Sequence, residues 1–272
     1  MCKGEIKLLV CDLDGTLLNS SHQISNNTMM KLEKVQEIGI PIAIATGRPL
    51  SECLLYIDEI QAYPYIISMN GAMTINLSSG EIVHQDFISQ KDVQSVLEVL
   101  EELSVFYEMY TPYGLMTIPP VKSRIKSSGL HPSYIESFGN QILYLQNIQM
   151  YSHRVHKFFV ATTDETIKPR IEEALINKDV LVVSSLGAFV EIIPKTCDKT
   201  VGVAAVCKDM GISLAEVMAI GDSQNDMTLL KRAGIGIAME NAPSTVKKNA
   251  DYITTSNDKD GVAKALLDLL KL

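Results

Sequence analysis

A chain of 272 residues with 24 Lys and Arg against 32 Asp and Glu carries a formal charge of −8. That balance lacks the basic face needed to grip a phosphate backbone, so no nucleic acid partner is expected. Apolar residues make up 46% of the chain, too many for a disordered polar chain, and the length allows two domains.

The elements alternate from the start. Ile6–Cys11 is short and mostly apolar, which predicts a buried strand. Asn26–Ile38 reads as a helix, with Ser25 as N-cap and Gly39 just past its end. A strand over Ile40–Ala45, a helix about Leu50–Glu59 and a strand over Tyr65–Ser68 follow. Then the rhythm changes: Met73–Gln85 reads as a hairpin about Ser78–Gly80. After it come a helix near Gln90–Leu103, a strand near Val105–Tyr110 and a polar stretch from Pro119–Pro120 to His131–Pro132. A strand Lys157–Thr162, a helix Glu165–Leu175 and strands Val180–Ser184 and Phe189–Ile193 complete this middle part. The first rhythm then returns: helix Thr200–Met210, strand Val217–Ile220, helix Asn225–Arg232, strand Ile235–Ala238, helix Pro243–Asn249, strand Tyr252–Thr254 and helix Val262–Leu270.

Near-continuous apolar strands separated by helices predict a parallel sheet covered on both faces. The expected fold is α/β: a doubly wound (Rossmann-like) parallel-sheet core from residues 1–82 and 189–272, with an inserted α+β domain over 83–188. Cys2, Cys11, Cys53, Cys197 and Cys207 form no C-x-x-C pair, which argues against a disulfide framework or a structural zinc site and suits a reducing compartment. No apolar run reaches the ~18 residues of a membrane helix, and Met1 to Val10 lacks the apolar segment of a signal peptide. A cytoplasmic protein without membrane contact is expected.

In an open parallel sheet, functional groups collect beyond the carboxyl ends of the strands. Asp12 and Asp14 follow the first strand, Thr46 in "ATGR" the second, Asn70 in "SMNGA" the third, and Asp222 in "AIGDSQND" follows Ile220. Four polar clusters are therefore expected to meet in one crevice. Residues two apart in extended chain point the same way, so Asp12 and Asp14 can face one site while Gly15 lets the chain turn. Two carboxylates so placed raise each other's pKa unless a cation or a shared proton compensates. A calcium EF-hand starting at Asp12 would need Gly where Leu17 stands and Glu where Gln23 stands, so that reading fails. Asp222 and Asp226, four apart, share a helical face if a helix begins there, although acids at a helix start also simply complement its dipole. A hard cation such as Mg²⁺ takes carboxylate and carbonyl oxygens, and Asp12, Asp222 and one backbone carbonyl would suffice. Lys199 opens a helix, where the dipole disfavours a cation, so an anionic substrate is expected nearby. Lys195, four residues earlier, is its rival.

In this order, "DLDGTLL", "ATGR", "IIPKTCDK" and "GDSQNDM" resemble the four motifs of the haloacid dehalogenase-like phosphatase superfamily. The insertion between the second and third resembles a type IIB cap, and "GIAMENAPSTVKKNADYITTSNDKDGVAKAL" resembles the tail of the Cof-type branch. The resemblance implies Asp12 as nucleophile and Asp14 as general acid/base. It further implies phosphate binding by Thr46, Gly47, Lys199 and Asn225, and a metal site drawn from Asp12, Asp14, Asp222 and Asp226. The implied activity is a Mg²⁺-dependent phosphatase for small phosphorylated metabolites, sugar phosphates favoured, working through an aspartyl phosphate. Asn70, Arg48, Lys122 and Arg124 are the candidate substrate contacts. For Arg48 the alternative is bracing the "ATGR" loop, and for the basic stretch Val121–Ser128 it is a solvated face.

Two other functions stay open: a phosphomutase of the same superfamily, and a non-enzymatic receiver-like phospho-acceptor, which would lack both a large insert and a second acid such as Asp14. His153 and His156 lack a third nearby ligand and read as packing residues. Gly234–Met239 lacks the third glycine of a dinucleotide fingerprint and reads as a strand. Cys11 points away from the site and reads as core. The sequence carries no signal of oligomeric state.

Overall fold

The computed structural model describes residues 5–57, 64–112, 114–117, 124, 128–130, 142–144, 154–185 and 189–272. Lys122 and His153, singled out above, lie outside the described residues. Two compact units emerge, Met1–Gln85 with Asp198–Leu272, and Asp86–Cys197.

In chain order the elements are β1 (Leu8–Cys11), α1 (Asn26–Glu37), β2 (Ile42–Ala45), α2 (Leu50–Ile57), β3 (Tyr65–Ser68), β4 (Met73–Asn76) and β5 (Glu81–Gln85). There follow α3 (Gln90–Glu102), β6 (Phe106–Thr111), β7 (Gly114–Thr117), β8 (Ile142–Tyr144), β9 (Lys157–Ala161), α4 (Ile167–Ala174), β10 (Val180–Ser185) and β11 (Phe189–Pro194). The chain then runs through α5 (Lys199–Met210), β12 (Val217–Gly221), α6 (Met227–Arg232), β13 (Ile235–Ala238), α7 (Ser244–Lys247), β14 (Tyr252–Ile253) and α8 (Gly261–Leu270).

The first unit holds an eight-stranded sheet in the order β14-β13-β12-β1-β2-β3-β4-β5. Its first six strands are parallel, and β4 and β5 add an antiparallel hairpin at one edge. The strand order moves outward from β1 in one direction and outward from β12 in the other. The switch point therefore lies between β1 and β12, where side chains past the strand ends have room to form a crevice.

Alternation along each strand fills both faces. Leu9, Cys11, Ile42, Ile44, Ile66, Met218 and Ile220 pack with Leu32 and Val35 of α1 and Leu266 of α8. Leu8, Val10, Ala43, Ala45, Ile67, Val217 and Ala219 pack with Val203, Val206 and Cys207 of α5 and with Leu229 and Leu230 of α6. Each fully buried Leu or Ile contributes roughly 1.5–3 kcal/mol of transfer free energy, so strands this short are held by what covers them. The helix caps are as expected: Ser25 accepts a hydrogen bond from the Thr28 N–H at 3.1 Å, and Gly39 turns the chain beyond α1 at φ 81°.

The second unit holds a six-stranded sheet, β10-β11-β9-β6-β7-β8, antiparallel except for β7 beside β8. One face, through Tyr107, Met109, Phe158, Val160 and Ile192, packs on Val93, Val96 and Leu100 of α3 and Ile167 and Ile171 of α4.

Both expected boundaries need correction. Residues 83–85 remain in β5 of the first sheet. β11, placed in the core by a boundary at 189, pairs instead with β9 and β10, so the core resumes only at Asp198. The physical reason is hydrogen bonding: a hairpin partner holds Phe189–Pro194 more firmly than its apolar character could assign it.

Candidate active site

The carboxyl ends of β1, β2, β3, β12 and β13 all open on one side of the first sheet, because parallel strands share a direction. What the sequence scatters is thereby collected. Lys199, the first residue of α5, is fully buried and donates from Nζ to Asp12 Oδ1 at 2.7 Å and to Asp226 Oδ1 at 2.6 Å. Its helix is capped by Asp198, whose side chain accepts from the Val201 N–H at 3.1 Å. The rival Lys195 is exposed and belongs to the other unit.

Asp222 follows β12 and receives the Thr16 hydroxyl at 3.0 Å. Asp226 holds the turn between them: its Oδ2 accepts the backbone N–H of Asp222 at 3.1 Å and of Ser223 at 2.9 Å, while its Oδ1 faces Lys199. Two glycines make this packing possible. A Cβ on Gly15, already at φ 77°, would stand 2.4 Å from Asp222 Oδ2, and one on Gly221 would stand 2.5 Å from Asp226 Cγ.

Thr46 is buried, and its Oγ1 accepts the Arg48 N–H at 3.2 Å. Its carbonyl accepts the Asn70 N–H at 2.9 Å. Met69 and Asn70 both sit in the left-handed region, φ 50° and 57°, a conformation that costs a non-glycine residue free energy and here orients the Asn70 amide inward. Asn225 donates from Nδ2 to Asn70 Oδ1 at 2.8 Å, and the space above Gly47 is closed by the same Asn70 amide. Gly71, at φ 95°, lies against the root of α5: a Cβ there would meet the Asp198 carbonyl oxygen at 2.1 Å.

Asp14 stands apart from the other acids. Arg48 grips it with two prongs, Nε to Oδ2 at 2.7 Å and Nη2 to Oδ1 at 2.6 Å. Tyr56 lies under the guanidinium, ring centroid 5.1 Å away. Donating these hydrogen bonds to Asp14 is the main reason the Arg48 pKa rises further. The sequence locates Arg48 in this loop but does not show its partner. A three-residue offset from the "ATGR" strand end hints at reach, but only the structure shows which acid it meets.

Arg124, the other basic candidate, is committed within the second unit, where its two terminal nitrogens bind Glu101 at 2.9 and 2.8 Å. His156 is buried, its Nδ1 2.8 Å from the Asp86 carbonyl and its ring stacked on Phe87, as a packing residue should be.

Charge in the buried cluster does not balance. Burial is the largest influence on Asp12 and pushes its carboxyl pKa upward; Lys199 opposes this, and Asp226 and Asp222 add to it. Asp222 is pushed up to about 6, first by burial and then by Asp226. Burial alone would lower Lys199, but Asp12 and Asp226 together hold it above its ordinary value. Three carboxylates thus face one ammonium. Asp12, Asp222 and Asp226 each offer an oxygen, all within 4.8 Å of one another. Hard oxygen donors with excess negative charge fit a divalent cation. Asp226 is held at both oxygens, Oδ1 by Lys199 and Oδ2 by the turn amides.

The chemistry of this edge is narrowed by comparison with known proteins. The chain belongs to the haloacid dehalogenase-like hydrolases, whose family model matches residues 9–266, and within them to the Cof-type phosphatases, phosphoric monoester hydrolases. It is 30% identical over 290 residues to the phosphatase YwpJ of Bacillus subtilis (strain 168), covering 97% of this chain and 100% of that protein. It is 28% identical to the 5-amino-6-(5-phospho-D-ribitylamino)uracil phosphatase YcsE of the same bacterium, covering 96% and 95%. Among solved structures it resembles a subclass IIB sugar phosphatase, with a TM-score of 0.80, 26% identity and coverage of 98% and 100%.

Proposed function

We propose that this chain hydrolyses phosphate monoesters of small metabolites, sugar phosphates favoured, with Mg²⁺ as cofactor and a phosphorylated Asp12 as intermediate. The observation that carries the reading is Lys199, buried between Asp12 and Asp226 beside Asp222. A buried lysine shared by two acids and faced by a third is costly as mere structure. It becomes favourable when a cation and a phosphate dianion complete the charge.

Asp12 and Asp222 would hold the metal, with Asp226 orienting their loop. Mg²⁺ in that place supplies neutralisation of the phosphoryl oxygens. Lys199 fixes one oxygen of Asp12, so the carboxylate meets phosphorus in a set orientation. The bond from Asp12 to phosphorus forms as the ester bond breaks, and water then cleaves the aspartyl phosphate. Asp14 gives its proton to the departing alkoxide and takes one back from that water. Arg48 occupies both Asp14 oxygens in the paired arrangement, so it must let go before Asp14 can deliver a proton. Lys199, the Thr46 hydroxyl and the Gly47 amide supply donors as charge builds on the phosphoryl group. Asn225 and Asn70, bonded to each other, present their amides on the same side.

Two relatives support the substrate class: one acts on sugar phosphates, and the other's substrate name puts the phosphate on a ribityl chain. Sugars and ribityl chains both present several hydroxyl groups. Selection among such leaving groups is assigned to residues 86–197, which form their own core. Free cysteines Cys11, Cys53, Cys197 and Cys207 support a cytoplasmic setting; among the described residues no helix is long and apolar enough to cross a membrane.

The test is release of inorganic phosphate from a panel of sugar and polyol phosphates, with Mg²⁺ and with chelator. Release that depends on Mg²⁺ is expected. Conversion of one phosphosugar into another without release would establish the mutase instead, and a stable phosphoprotein without turnover the receiver-like module.

A further inference from the structure

The strand ends named by the sequence reading omit β13, yet β13 runs parallel to β12 and ends on the same side. Three residues beyond it stands Asn241. Its Nδ2 donates to the Gly15 carbonyl at 2.8 Å and reaches Asp222 Oδ2 at 3.4 Å. Its Oδ1 accepts the backbone N–H of Asn257 at 3.2 Å, and that bond decides which end of the amide faces the acids. Asn257 is itself fixed, its Nδ2 donating to the Leu18 carbonyl at 2.9 Å.

These contacts belong to a longer seam. The Ser20 N–H donates to Asp258 Oδ1 at 2.7 Å, and Ser25 and Asn27 donate to the two oxygens of Asp260 at 2.5 and 3.0 Å. The loop after β1 is therefore tied along its length to residues 241–260, and only the Asn241 tie touches Asp222. The Asp222 carboxylate is enclosed as a result. Thr16 donates to Oδ1, Asn241 lies at Oδ2, and Gly15 packs against it so closely that a methyl group would not fit.

We propose that Asn241 is a positioning residue for the divalent-metal site, holding the Gly15 peptide and the Asp222 carboxylate in a fixed relation while Asn257 sets the direction of its amide. The inference rests on the Mg²⁺-dependent reading above. A carboxylate free to rotate about its Cβ–Cγ bond must be ordered when the metal binds, and removing an outer hydrogen bond of this kind typically costs 10–100-fold in metal affinity or activity. The amide is suited to the task because it is neutral: it orients the acid without neutralising it, where a lysine would compete with the cation.

The test compares Asn241→Ala with Asp258→Ala, which cuts a neighbouring tie of the same seam away from Asp222. Two readouts are taken on the full chain: the Mg²⁺ concentration giving half-maximal phosphate release, and the Mg²⁺ concentration giving half the metal-induced rise in Tm without substrate. Asn241→Ala is expected to raise both by about tenfold or more, with kcat at saturating Mg²⁺ changed by less than about threefold. Asp258→Ala is expected to lower the metal-free Tm slightly and leave both Mg²⁺ midpoints in place. Equal shifts in the two variants, or a lower metal-free Tm for Asn241→Ala with unmoved Mg²⁺ midpoints, would show a loop tie only and overturn the proposal. A wild-type chain that releases phosphate in chelator and shows no Mg²⁺ rise in Tm overturns the underlying reading as well, which separates the two failures.

Discussion

In the eight-stranded sheet the buried lysine stands past the strand ends, at the start of α5, and serves two carboxylates with a third close by. In the six-stranded sheet the buried lysine, Lys157, stands within β9 and serves Glu191 on β11 at 2.7 Å, with the Tyr110 ring 4.8 Å away. The difference follows from strand direction. Parallel strands all end on one side, so residues from distant parts of the chain meet at one edge of the sheet. Antiparallel strands end on alternate sides, and charged residues meet through cross-strand register, on a face. The first arrangement concentrates unbalanced charge past the strand ends; the second pairs charge within the fold.

The largest test of this contrast is Asp12→Asn, which should reduce phosphate release by about three orders of magnitude or more while circular dichroism and Tm show an intact fold. Undiminished release would remove Asp12 from its role. Next come the two lysines. Either Lys199→Met or Lys157→Met removes the positive member of a buried ion pair and should cost about 3–5 kcal/mol in denaturant unfolding. Only Lys199→Met should also lose turnover on a small generic phosphate ester, and equal turnover losses would erase the distinction between edge and face. Gly15→Ala should then lower kcat/KM by about a hundredfold, since its methyl group must displace Asp222; a wild-type value would mean that the carboxylate has slack.

The smallest effect is one of pH. Asp222, pushed up to about 6 by burial and by Asp226, binds its proton more tightly in the folded chain than in the unfolded one, whose ordinary value is 3.8. Its contribution to stability is therefore full at low pH and is lost as pH rises toward and through about 6. Without metal, the Tm of the wild type relative to Asp222→Asn should fall between pH 5 and 7, and Mg²⁺ should flatten that slope. A rising difference would contradict the burial of the group.

Much of the first sheet is legible in the sequence because its strands are covered on both faces. Runs such as Ile42–Ala45 and Ile235–Ala238 have no polar residue to interrupt them. The edge rule for parallel strands then places Asp12, Thr46, Asn70 and Asp222 together without any knowledge of distance. It applied equally to β13, yet Asn241, an exposed amide, gave no chemical cue to single it out. β7 and β8 escaped notice because four and three residues are too short to show a period. The pairing of Arg48 with Asp14 depends on side-chain reach across a turn, which spacing does not encode. The membership of β11 depends on hydrogen bonds to strands earlier in the chain, and its apolar character suits either sheet.

Gly71 offers a last consequence. Its bare Cα lets the turn carrying Asn70 rest directly on the carbonyl of Asp198, at the foot of the helix that begins with Lys199. Two stretches separated by the entire second unit in sequence are thereby wedged together with no side chain between them. Lengthening the insert or trimming it would leave this seating untouched, so the inserted unit can vary in size and chemistry while Lys199 keeps its place.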